Sequence, residues 1–135
     1  MSDVAGPIQS VSEIAFWVSN LDRAVEFYTG KLGFIIQEID PGHNAFLKSG
    51  DFLMVLFNRE SPNTALGNEY LARTGGPQGD VYHIAFKVDA ASLDGFGEGL
   101  REQGLEMKGP VNFPTGRRSY FLEDPDQHYI ELTDR

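Results

Sequence analysis

The chain has no cysteine. Disulfide staples, thiolate metal ligands and a cysteine nucleophile are therefore excluded, and the composition suits a reducing, cytoplasmic setting. Positive charge is scarce as well: 11 Lys and Arg stand against 20 Asp and Glu, for a formal net charge of −9. Nucleic-acid binding rests on clustered cations that neutralise phosphates, and the only adjacent basic pair is Arg117-Arg118, so the charge balance argues against a nucleic-acid partner. Long apolar runs are missing too. The longest, Phe52 to Phe57, is far short of the roughly 20 residues that a membrane-spanning helix needs, and no membrane partner is expected. The opening residues Met1 to Pro7 lack the basic and apolar regions of a secretory signal. What is present, 135 residues with 41% hydrophobic and 23% charged, suits one compact globular domain over residues 1–135.

One stretch of sequence occurs twice. Glu13-Ile-Ala-Phe-Trp-Val18 returns 70 positions later as His83-Ile-Ala-Phe-Lys-Val88, which points to a duplicated supersecondary unit. Alternation over Val11 to Val18 predicts a strand with Ile14, Phe16 and Val18 on one face and Glu13, Ala15 and Trp17 on the other. Asn20 is placed to cap a helix carrying Leu21, Ala24, Val25 and Tyr28, with Asp22 in its first turn and Gly30 or Gly33 at its end. Strands over 34–40, 44–49 and 52–58 follow, separated by turns at Pro41-Gly42 and Gly50-Asp51. The second half repeats the order: a strand over 81–88, a helix capped by Asp89 and carrying Leu93, Phe96 and Leu100, and strands over 105–108, 117–123 and 128–133. Gly95, Gly97 and Gly99 each weaken that helix by up to about 1 kcal/mol relative to Ala, so it depends on tertiary packing. The last hairpin turns at Asp124-Pro125-Asp126-Gln127. The expected fold is α+β, two βαβββ modules (8–58 and 81–135) forming a curved mixed sheet around a cavity. A polar linker over 59–80, with a short helix around 65–73, joins the modules and is long enough to act as a lid.

If Ile14, Phe16, Ile84 and Phe86 pack against the helices, Glu13 and His83 point to the opposite, cavity-facing side. The closing strands align Met54-Val55-Leu56 with Ile130-Glu131-Leu132, which puts Glu131 and Tyr129 on the cavity face and Val55 at the equivalent place in the first module. Three of four related inward positions are thus Glu13, His83 and Glu131. A carboxylate beside aromatic side chains is costly unless paired, protonated or metal-bound. Two carboxylates and an imidazole suit a divalent ion (Zn, Ni, Mn, Co or Fe), and the apolar fourth position leaves room for water or substrate. On spacing alone, a buried ion pair between His83 and a glutamate is an equal reading. Trp17, Leu53, Val55, Phe57 and Tyr129 line the same face as pocket wall or core. Arg118, or its neighbour Arg117, offers a forked guanidinium to an anionic substrate group. His128 has the wrong parity to join Glu131, and His43 beside Gly42 reads as an exposed turn residue.

The segment from Glu13 through Asn20, Tyr28 and Gly33 to Phe34, together with His83 to Val88 and Tyr120 to Leu132, resembles the two modules of the vicinal oxygen chelate superfamily. That superfamily includes glyoxalase I, extradiol dioxygenases, fosfomycin-resistance thiol transferases, methylmalonyl-CoA epimerase and bleomycin-resistance proteins. The resemblance places the superfamily's metal positions on Glu13, Val55, His83 and Glu131. It also implies a homodimer, with sites that can be completed across it. Val55 departs from the four-ligand pattern of glyoxalase I and the epimerase. Glu13 departs from the three-ligand pattern of the dioxygenases and fosfomycin enzymes, which have His there. Tyr120 precedes the last hairpin much as a tyrosine does in the fosfomycin enzymes. The expected function is a metal-dependent enzyme of the glyoxalase or dioxygenase type acting on a small oxygen-rich substrate, a lyase or isomerase in which Glu131 or Glu13 detaches as general base. Two alternatives stand beside it: a fosfomycin-type thiol transferase or extradiol dioxygenase, and a non-catalytic protein that sequesters a small molecule.

Overall fold

A computed structural model describes residues 6, 7, 11, 13–61 and 83–135. The chain divides into two compact units, Met1–Asn68 and Glu69–Arg135, with the division falling inside the expected linker. The helix expected around 65–73 lies outside the described residues, as do 81 and 82 at the start of the expected second-module strand.

In the first unit the order is β1 (Ile14–Val18), α1 (Leu21–Glu26) running into a π-helical turn (Phe27–Lys31), β2 (Ile35–Asp40), β3 (Asn44–Ser49) and β4 (Phe52–Asn58). The sheet order is β1-β4-β3-β2. β1 runs parallel to β4, with Ala15 opposite Val55, and the other pairs are antiparallel. The Asn20 side chain accepts the Arg23 N–H at 3.0 Å, a cap of the kind that contributes about 1 kcal/mol. The apolar stripe expected of this helix is buried: Leu21, Ala24, Val25 and Tyr28, joined by Phe27. Of the two glycines expected to end it, Gly30 rides inside the π turn. Gly33, at φ +81, makes the stop, and the Phe34 N–H then reaches the Tyr28 carbonyl at 2.9 Å. Edge-on contacts run from Tyr28 to Phe34 and on to Phe52, at 5.8 and 6.4 Å between ring centres. Phe52 shares its strand face with the buried Met54 and Leu56, so this is the face that packs toward α1.

The second unit has β5 (Ile84–Lys87), α2 (Ala90–Glu102), β6 (Lys108–Asn112), β7 (Arg118–Glu123) and β8 (Tyr129–Thr133). Its sheet order is β5-β8-β7-β6, with β5 parallel to β8 and the rest antiparallel. Both sheets thus have the same mixed pattern, and the molecule is α+β as expected. Two local expectations fail. β6 begins where the strand was expected to end, and Gly109-Pro110 lies within it. The pair sits on an edge strand at an irregularity between Lys108 and Val111, where proline's missing N–H costs no ladder bond. Asp89 is the residue before α2, but its side chain makes no capping bond; its backbone carbonyl accepts the Ser92 N–H at 2.9 Å instead.

Helix α2 lies on β7 and β8 through Tyr120, Leu122, Ile130 and Leu132, all buried. A Cβ built on Gly97 would stand 2.7 Å from three atoms of the Tyr120 ring, whereas nothing lies within 4 Å of one on Gly95 or Gly99. One of the three helix-weakening glycines is therefore required by close approach, and the other two are not. The face turned away from α2 carries Ser119 and Phe121 of β7 and Tyr129, Glu131 and Thr133 of β8, and the site is built there.

Candidate functional site

Across the second sheet, register lines up Ala85, Glu131, Phe121 and Lys108 in one row. His83 stands just ahead of β5 and has the parity of Ala85, so it shares that face. Its Nε2 lies 3.1 Å from Glu131 Oε1. The other carboxylate oxygen is also engaged. The Ser119 hydroxyl donates to Glu131 Oε2 at 2.7 Å, and Arg117 Nε stands 3.2 Å from the same atom. Arg117 Nε also donates to Thr133 Oγ1 at 2.9 Å, and Thr133 in turn donates to the Arg118 carbonyl at 3.3 Å. Glu131 is only 4% exposed, and Ser119 and Thr133 are buried with it. A carboxylate removed from water in this way is tolerated because imidazole, hydroxyl and guanidinium replace its hydration.

Next to this group is a cavity of about 250 Å³ lined by His83, Lys108, Phe121 and Tyr129. Its chemistry is mixed: an imidazole, an ammonium, a phenol and an apolar ring. Tyr129 is among the substrate-wall residues that the sequence suggests, and it lines this cavity. Phe121 and Lys108 were not singled out from sequence, although two-residue alternation from Glu131 and the hairpin register would have reached Phe121.

The His83–Glu131 pair is what either sequence reading, ion pair or metal ligands, would produce. Two atoms bound to one ion at about 2.1 Å, with an angle between octahedral and tetrahedral, stand about 3.0–3.4 Å apart. The 3.1 Å separation falls in the range of two neighbouring ligands of a small divalent ion, as it does in that of a direct hydrogen bond. Ser119 and Arg117 occupy the other carboxylate oxygen as outer partners of a ligating group do. Among the described residues no group of three or more His, Asp or Glu is gathered as a metal site.

In the first unit, Glu13 is exposed just ahead of β1, with the parity of Ala15 and Trp17. Trp17 and Phe57 are register partners, their rings 6.1 Å apart and tilted by 58°. Val55, on the same face, is fully buried. These side chains form an apolar face opposite the one that packs toward α1.

Arg118 is not placed as the substrate reading requires. Its parity is that of Tyr120, on the α2 side of the sheet, and its guanidinium donates to Asp94 Oδ1 at 2.9 Å and Asn112 Oδ1 at 2.8 Å. The Asp94 hydrogen bond raises the Arg118 pKa and lowers that of Asp94. The arginine on the Glu131 side is Arg117. Tyr120 likewise faces α2. Its hydroxyl lies 3.1 Å from Asp94 Oδ1 and 3.0 Å from Glu98 Oε2. Burial first, then these two bonds, pushes the phenol from an ordinary value of 10.0 up to about 12. Glu98 is held low chiefly by Arg101, which reaches it at 2.6 Å. His128 pairs with buried Asp124 at 2.7 Å and stays off Glu131, as its parity requires. His43 is half-buried rather than exposed, because its Nδ1 bonds the Ser61 hydroxyl.

Duplicated four-stranded mixed sheets, each with one helix, and a His–Glu pair on the sheet face turned away from the helix define a glyoxalase-like protein. Residues 10–132 match the family described as the Glyoxalase/Bleomycin resistance protein/Dioxygenase superfamily, and the chain belongs to it. Among curated relatives, an uncharacterised Bacillus subtilis protein, YwkD, is 31% identical, covering 93% of this chain and 96% of its own. The metallothiol transferase FosB of Staphylococcus epidermidis is 27% identical over 93% of this chain and 81% of its own. Among solved structures, lactoylglutathione lyase of Agrobacterium tumefaciens superposes with a TM-score of 0.76 at 24% identity, over 94% of each chain. A fosfomycin resistance protein FosX of Listeria monocytogenes, a mutant form complexed with Mn(II) and 1S,2S-dihydroxypropylphosphonic acid, superposes with a TM-score of 0.71 at 22% identity. It covers 95% of this chain and 91% of its own. Among the described residues no helix is long and apolar enough to cross a membrane.

Proposed function

We propose that the protein is a divalent-metal-dependent enzyme acting on a small oxygen-rich molecule, its metal held by His83 and Glu131 and completed by Glu13. The observation that carries this reading is the 3.1 Å contact between His83 Nε2 and the buried Glu131 Oε1 beside a cavity of about 250 Å³. The metal in the FosX complex and the name of FosB support it. In this reading the two modules form one domain, and the protein works as a cytoplasmic homodimer.

When bound, the metal supplies Lewis acidity toward adjacent substrate oxygens. The chain's own residues do the rest. Phe121 and the Tyr129 ring supply the cavity's apolar wall. Lys108 offers the cavity's ammonium to an anionic substrate group. Ser119 and Arg117 hold Glu131 in place while His83 keeps one ring nitrogen directed at it. Proton transfer of the lyase or isomerase type then requires a base within reach of the substrate.

A second reading, binding without catalysis, is favoured by the apolar, fully buried Val55 at the position equivalent to Glu131. Metal content separates the two. Protein purified without chelator is expected to carry, or to take up, about one Mn²⁺, Ni²⁺ or Zn²⁺ per chain. His83→Ala abolishes that uptake with its circular dichroism unchanged. Absence of uptake by the parent chain would sink the enzyme reading and leave the binder. Loaded protein would then be screened against methylglyoxal–thiol adducts, fosfomycin and catechols.

A further inference from the structure

Both carboxylate oxygens of Glu131 are engaged. One oxygen meets His83, and the other receives the Ser119 hydroxyl at 2.7 Å and faces Arg117 at 3.2 Å. Ser119 lies on β7, opposite Thr133 in the antiparallel ladder. Its hydroxyl therefore comes from a fully buried strand position rather than from a mobile loop. Arg117 is anchored as well, since the same Nε donates to Thr133 Oγ1. Arg117 is not among the residues lining the cavity beside His83, where the cation is Lys108.

Building on the metal-enzyme reading above, we infer that Ser119 and Arg117 are positioning residues that fix Glu131 as a permanent ligand, so that Glu131 is not the detachable base of the reaction. To detach, Glu131 would give up a short bond to a buried hydroxyl and a guanidinium contact. The base role then passes to another group.

The test is carried out on the full chain, titrating Mn²⁺ calorimetrically and Co²⁺ by its visible absorption, for the parent, Ser119→Ala, Arg117→Gln and His83→Ala. Loss of one outer partner is expected to weaken metal binding about 10- to 100-fold and to change the Co²⁺ band, with circular dichroism and cooperative unfolding retained. Parent-like affinity and band in both Ser119→Ala and Arg117→Gln would overturn the inference. If the parent itself takes up no ion, the enzyme reading fails. The clamp is then read without metal from the ¹⁵N resonances of the His83 imidazole, which sense the position of the Glu131 carboxylate. They are expected to move in Ser119→Ala, and unmoved resonances would overturn the clamp itself.

Discussion

Gly97 shows how much a single missing Cβ decides in this molecule. The Tyr120 ring sits where that atom would be, 2.7 Å away, so Gly97→Ala forces the ring or the helix to shift. Overpacking of this kind costs about 1–3 kcal/mol; a lower urea midpoint with unchanged slope checks it. The same tyrosine gives a pH prediction. Its pKa is raised from 10.0 to about 12, so the unfolded chain releases this proton first as pH rises. The folded state then binds more protons than the unfolded state between about pH 10 and 12, and stability falls across that window. Below it the contribution is fully present. Tyr120→Phe is expected to remove this part of the alkaline loss, seen as a shallower dependence of unfolding free energy on pH than in the parent. Neither role was visible in the sequence, where Tyr120 stood out only by its place before the hairpin. Parity from Glu131 has to be carried through a four-residue turn, and only the observed pairing of Tyr120 with Leu132 fixes which face it takes.

At the scale of the element, α2 combines opposite demands. Gly95 and Gly99 meet nothing within 4 Å, so each costs helix stability without any packing return. Gly95→Ala and Gly99→Ala are each expected to stabilise the chain by about 0.5–1 kcal/mol, opposite in sign to Gly97→Ala and measured in the same titration. Strands were easier to read than this helix. β3 and β4 have the bounds that the sequence predicts, because a short apolar or alternating run bounded by turn residues carries its limits locally. β6 was misplaced because tolerance of proline depends on having no neighbour on one side, which is a property of sheet order. The arginine pair was resolved in the same way. Arg117 and Arg118 point to opposite faces by alternation alone. Which of them meets Glu131 and which meets Asp94 follows from where β8 and α2 lie.

At the scale of the whole molecule, a ligand that binds only the folded chain raises its stability by mass action, about 2.7 kcal/mol when present at 100 times its Kd. Under the metal reading, Mn²⁺ is expected to raise the melting temperature in a concentration-dependent way, and His83→Ala to remove the rise; scanning calorimetry at several Mn²⁺ concentrations checks both. By itself the sequence determined the duplication, the two βαβββ orders, the faces of most strands, and the sharing of one face by His83 and Glu131. Those follow from period-two alternation and from the repeat, which are local properties of a chain. Tertiary structure decided the partners: Ser119 and Arg117 on Glu131, Arg118 on Asp94, Tyr120 in the space left by Gly97. Partners depend on strand order and register, which bring residues 12 to 26 positions apart within hydrogen-bonding distance, and no local pattern encodes that choice.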